Sequence, residues 1–183
     1  MLEPSTKEQE RRHQDDSVIR LTISDERLQS LIQPLLGLTC CRSKVGEFFS
    51  LSLGFGKAVP APLLRSGRRL NTAYYGEWEI GSYLSSWRVI RRSEILHSGS
   101  KNVGSESELN ERLADIEFGC LTSIGQLSEW DVRVECSADL YVDFLGVDPC
   151  DEAFHVFCPN NVSIVFRPGV GWFAGPSNQP WGL

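Results

Sequence analysis

Three close pairs of carboxylates and two of its histidines are the residues of this chain that could do acid–base chemistry. They are Asp115 with Glu117, Glu129 with Asp131, Asp139 with Asp143, and His97 and His155. Sugar hydrolysis needs two carboxyl groups facing each other across a cleft. Asp139, Tyr141 and Asp143 instead share one face of a predicted strand, opposite Leu140, Val142 and Phe144, which is the pattern of a solvated face. His97 falls in a Ser/Gly-rich stretch, and His155 lies between Phe154 and Val156 with its side chain on the other strand face. No Gly-x-Ser-x-Gly elbow accompanies them. Gly54-Phe55-Gly56 could suggest a phosphate cradle, but such a loop must open a helix, and Pro60 and Pro62 follow instead. It reads as a bulge or turn. The six cysteines (Cys40, Cys41, Cys120, Cys136, Cys150, Cys158) form no CxxC pair, and only Cys158 has a histidine, His155, near it in metal-ligand spacing. They read as reduced thiols packed like small hydrophobes. The expectation is therefore no catalytic residue, no cofactor and no metal.

The charge pattern says more. Residues 1–92 hold 14 Lys+Arg against 10 Asp+Glu, whereas residues 93–183 hold 4 against 14. This balance argues against an overall basic nucleic-acid binder. An acidic half suits a basic partner, because its field draws opposite charge toward it. The residues expected to form that surface are Glu129, Asp131, Glu135, Asp139, Asp143, Asp148, Asp151 and Glu152, with Trp181 as a separate anchor for the C-terminal tail or for a second copy. Trp78, Trp87, Trp130 and Trp172 lie in or beside strand-like segments and are expected to fill the core. No apolar run approaches the length of a membrane span. The charged N-terminus has no apolar stretch behind it, so the expectation is a cytoplasmic protein.

The elements that must position these residues follow from periodicity. Residues 1–17 read as a disordered tail and Val18–Ile23 as a strand. Ser24 or Asp25 caps a helix with the apolar face Leu28, Leu31, Ile32 and Leu35, which Pro34 distorts and Gly37 ends. Phe48–Phe55 alternates as a strand, and residues 57–73 read as a long exposed basic loop. Glu77–Ser82 and Ser86–Ile90 alternate as half-buried strands. Residues 97–106 form a joint. Ser105 with Glu108 has capping-box spacing and launches a helix through Leu109, Leu113 and Ile116 to Gly119. Strands are expected near 121–124, 130–136, 139–144, 153–157 and 162–166, with an irregular tail over 175–183.

Setting Gly37 on Gly119 also sets Leu31 on Leu113, and with a gap the block 49–55 matches 138–144. The predicted fold class is therefore α+β. Two related helix-plus-antiparallel-sheet units, 18–96 and 107–174, would pack into one compact body. The helix ending in Gly, Leu140–Phe144, Glu77–Ile80 and Ser86–Val89 together resemble small uncharacterised bacterial proteins of immunity-protein-like type. That resemblance spans roughly residues 25–174 and implies a protein that neutralises a toxin by binding it. It transfers no catalytic residue. The leading expectation is a non-catalytic protein-binding module whose acidic second half covers a basic toxin, with no nucleic acid and no membrane as partner. The alternatives are a small hydrolase with an unlocated carboxylate pair, and a structural homo-oligomer, such as a homodimer, using strand edges.

Overall fold

A computed structural model describes residues 21–61, 73–84, 86–99, 104–148 and 152–177. Both predicted helices form where their caps place them. Ser24 caps α1 (Asp25–Ile32), its hydroxyl accepting from the Arg27 N–H at 3.3 Å. Pro34 turns the next residues, Gln33–Leu35, into a short 3-10 turn. Ser105 and Glu108 form a complete capping box at the start of α2 (Glu106–Ala114). Each helix buries a short apolar stripe, Leu28 with Ile32 and Leu109 with Leu113. The second helix ends at Ala114, earlier than expected, and Gly119 serves a junction described below.

Twelve strands follow in chain order: β1 (Leu21–Thr22), β2 (Cys40–Val45), β3 (Leu51–Pro60), β4 (Tyr74–Gly81), β5 (Trp87–Arg91) and β6 (Glu94–Ser98), then β7 (Leu121–Gln126), β8 (Asp131–Cys136), β9 (Leu140–Leu145), β10 (Phe154–Phe157), β11 (Val162–Arg167) and β12 (Gly171–Pro176). They form two wholly antiparallel sheets. One runs β1-β12-β11-β10-β4-β3-β2 and the other β6-β5-β9-β8-β7. With the two helices this is an α+β fold. Gly54 and Gly56 lie inside β3, where the register against β4 slips between Phe55 and Ala58, so they mark a bulge.

Each sheet draws on both halves of the chain. The meander β2-β3-β4 continues into β10-β11-β12 across the β4–β10 pairing, and β7-β8-β9 continues into β5-β6 across the β9–β5 pairing. Phe55, Trp87, Phe144, Phe154 and Phe166 fill the core with the buried helix residues. At one corner the sheets join. Thr39 bridges Cys120, the Cys40 N–H donates to Gly119 O at 2.7 Å, and the Leu121 N–H donates to Leu38 O at 3.0 Å.

One spacing recurs throughout. Thr39 and Cys120 lie 81 residues apart, and so do the caps Ser24 and Ser105 and the buried pairs Leu28/Leu109 and Ile32/Leu113. Cys40 sits opposite Phe55, and Leu121 sits opposite Cys136 at the same spacing. Each hairpin has its register slip at that end, after Cys40 and after Leu121. Each helix is also tied to the strand that follows the other helix. Gln29 Nε2 donates to Ile124 O at 3.4 Å. Asn110 both accepts from the Val45 N–H at 2.8 Å and donates to Val45 O at 2.9 Å. Among the described residues no helix is long and apolar enough to cross a membrane.

Asn110 satisfies both main-chain groups at the end of an edge strand, so its loss leaves a donor and an acceptor unmatched. Asn110→Ala should cost about 1–3 kcal/mol, and Gln29→Ala, which gives up one long bond, less than about 1 kcal/mol. Urea unfolding of the two variants checks the order.

Candidate functional site

The acidic residues separate into three environments. Glu129, Asp131 and Asp148 come together at one end of the five-stranded sheet, where the β7–β8 turn meets the segments after β9 and β11. Glu129 and Asp148 are exposed there. Asp131 is half-buried and holds the turn, accepting from the Ser128 hydroxyl at 2.8 Å and from the Gly146 N–H at 3.1 Å. Two main-chain bonds lock the three segments together, Gly146 N–H to Trp130 O at 3.1 Å and Gly169 N–H to Glu129 O at 2.7 Å. The approach is so close that a Cβ on Gly146 would stand 2.5 Å from Pro168 Cγ.

Glu135 is half-buried on β8, Asp139 lies in the β8–β9 turn beside Arg92 at 3.7 Å, and Glu152 accepts from Arg167 Nη2 at 3.3 Å. None of these joins the loop end. Asp151 and Trp181 lie outside the described residues.

Asp143 corrects the solvated-face expectation. It does point away from Val142 and Phe144, as the alternation requires, but its exposure is 0%. Its neighbours across both flanking strands are arginines, Arg88 on β5 and Arg133 on β8. Arg88 Nε donates to Oδ2 at 2.9 Å, Arg133 Nε donates to Oδ1 at 2.7 Å, and Arg133 Nη2 donates to Oδ2 at 3.1 Å. The guanidinium planes cover the carboxylate, and Arg133 in turn lies over the Tyr141 ring at 5.0 Å. Asp143 is a cross-strand fastener and no part of a binding surface.

The tryptophans divide in the same way. Trp78, Trp87 and Trp172 are buried, but Trp130 is 41% exposed because it sits in the turn ahead of β8. Leu127, Val147 (67% exposed) and Val170 (58%) lie on the same three segments. The loop end therefore combines exposed apolar side chains with carboxylates, as a protein-contact patch does. Sequence reasoning passed over Val147 and Val170. The available signal was a β-branched residue placed within a turn, between Gly146 and Asp148 and just after Pro168-Gly169, where no strand needs it.

No reactive constellation assembles among the described residues. His155 is buried between the Tyr83 ring at 4.2 Å and the Phe157 ring at 4.7 Å, and its Nδ1 meets no hydrogen-bond partner. Burial pushes its pKa down to about 3, so it is neutral in the folded chain. Burial likewise pushes the thiols of Cys40, Cys136 and Cys158 up to about 12, which removes their nucleophilic form. Glu79 is enclosed by Arg42, the Ser52 hydroxyl and the Gly76 N–H, a satisfied structural network. No group of three or more His, Cys, Asp or Glu side chains among the described residues could hold a metal ion. Compared with known protein families, curated proteins and solved structures, the chain matches none.

Two outcomes follow from these burials. Asp143→Lys should cost roughly 3 kcal/mol or more, since it buries a third positive charge between two arginines, whereas Asp139→Lys, at an exposed turn position with φ 56°, should cost only about 1 kcal/mol. Denaturant midpoints of the two variants distinguish them. For His155 the folded pKa lies below the ordinary value near 6.5, so the unfolded chain binds the extra proton. Its contribution is complete above about pH 6.5 and falls as pH drops toward about 3, reaching a loss of about 2 kcal/mol at pH 5. Stability measured against pH should flatten over that window in His155→Phe, and an unchanged slope would contradict the burial.

Proposed function

We propose that this chain is a non-catalytic protein-binding module. Its loop end at Trp130, Val147 and Val170, bordered by Glu129 and Asp148, would meet a basic partner. The observation that carries the reading is the coincidence of these exposed apolar side chains with the acidic half of the chain on a locked set of turns. Aromatic anchors supply most of the affinity of an interface, and a charged rim supplies association rate and choice of partner. An immunity protein covering a basic toxin is the form of this proposal that the charge balance favours.

We also infer that the scaffold is an internal duplication. The constant spacing supports it, running without insertion from Ser24/Ser105 through Gln29/Asn110 to Phe55/Cys136. On that spacing β3 corresponds to β8, one strand earlier in the second half than the match of 49–55 with 138–144. Exchange of the later strands would give each half a share of both sheets. An experimental structure in which 24–55 and 105–136 superpose only with an insertion would contradict the inference.

Photocrosslinking from position 147, in the cells that make the protein, should capture a basic protein. With that partner purified, Glu129→Lys should slow association and reduce its salt dependence. Trp130→Ala should raise Kd by a free energy of about 2 kcal/mol, mainly through faster dissociation. Association that is indifferent to both substitutions and to salt would overturn the proposal.

A further inference from the structure

A second feature lies away from that loop end. Since β2 and β7 leave the Thr39–Cys120 bridge as antiparallel partners, their following turns lie in opposite directions. The β2–β3 turn meets the first turn of α2, and Glu47, Phe48, Phe49 and Glu106 line an open hollow of about 320 Å³. Phe48 is the most exposed large apolar residue described, at 76%. Phe48 and Phe49 both take left-handed backbone angles, φ 57° and 59°, which only glycine adopts without cost.

The surroundings hold this turn rigidly. Asn110 grips Val45 just before it, as above. The Gly46 N–H donates to Ser50 O at 2.9 Å, and Trp87 Nε1 donates from the core to Phe49 O at 2.7 Å. The same contacts fix Glu106 relative to Glu47, because Asn110 lies one helical turn beyond Glu106 and its side chain also donates to Glu106 O at 2.8 Å.

The lining selects a cation. Among the described residues neither Glu47 nor Glu106 has an ion-pair partner, and none of those lining the hollow is basic. Two carboxylates repel an anion, and an aliphatic group would leave them unmatched. Aromatic faces attract a cation, and a planar guanidinium can stack on a ring while its edge donates to carboxylates. At about 320 Å³ the open hollow has room for one guanidinium side chain.

We propose that this hollow receives the guanidinium of an arginine side chain from a protein partner. It shares no residue with the Trp130 loop end and does not depend on the function proposed for that end. The probe is N-acetyl-arginine amide, titrated into the 15N-labelled full chain and followed by amide chemical shifts. Saturable shifts are expected at Glu47, Phe48, Phe49 and Glu106. Glu47→Gln with Glu106→Gln should weaken binding about tenfold or more. Phe48→Gly keeps the left-handed backbone while removing the ring, and it should also weaken binding. Unchanged amide shifts elsewhere in each variant show that the fold is intact. The proposal is overturned if the shifts do not saturate, if N-acetyl-norleucine amide produces them equally, or if they survive the double Gln substitution. Equal binding of N-acetyl-lysine amide would overturn the guanidinium assignment. Since no readout involves Trp130, failure here is separate from failure at the loop end.

Discussion

The two halves of this chain become one molecule where β5 pairs with β9 and β4 with β10, and the β5–β9 seam is fastened by a carboxylate with no exposure to water. Asp143 lies between Arg88 and Arg133 in a single cross-strand row, so three strands from both halves contribute to one ionic contact. Such a row tolerates no shift in register, because sliding any strand by one residue would carry its charged side chain to the core face. The register of the five-stranded sheet thus rests on a polar contact on its outer side as well as on the apolar core within. The turns on which the proposed binding surfaces stand inherit their positions from these seams.

The other seam meets the same need without charge. Its corresponding row places His155 opposite Gly81 and Gly81 opposite Ser52. Gly81 has no side chain to compete for the space, and a Cβ there would stand 3.3 Å from His155 Nε2. The imidazole is enclosed by Tyr83 and Phe157 and stays neutral. One seam is therefore held by an ion triad and the other by aromatic packing, and they respond differently to pH. The first contains two arginines that stay charged at any ordinary pH, while the second contains a histidine whose protonation is incompatible with its burial.

How much of this was legible depended on the kind of signal. The helix starts were written in Ser24, Ser105 and Glu108, whose side chains act within one turn of the chain, and both caps formed. Alternation located β8 to β11, because Val132, Val134, Val142 and Ile164 mark the core face directly. It missed β2, β6 and β12. In β2 only Val45 is buried, and polar edge strands carry little periodic signal. Alternation also assigns a face without saying what covers it, which is why Asp143 read as solvated until Arg88 and Arg133 arrived from other strands. Trp130 was misplaced for a related reason. It adjoins a strand in sequence, but β8 begins at Asp131, one residue later than the alternation implied. The loop end and the hollow at Phe48 are built from segments far apart in sequence, and no local pattern announces such a meeting.

The loop end carries the central claim, so it is where hydrogen–deuterium exchange of the full chain, free and with its captured partner, is most informative. Slower exchange confined to residues 127–131, 146–148 and 168–171, with the sheets unchanged, is the result predicted by a rigid scaffold that binds through this end. Protection spread over the outer faces of the sheets, with none at those three segments, would contradict it.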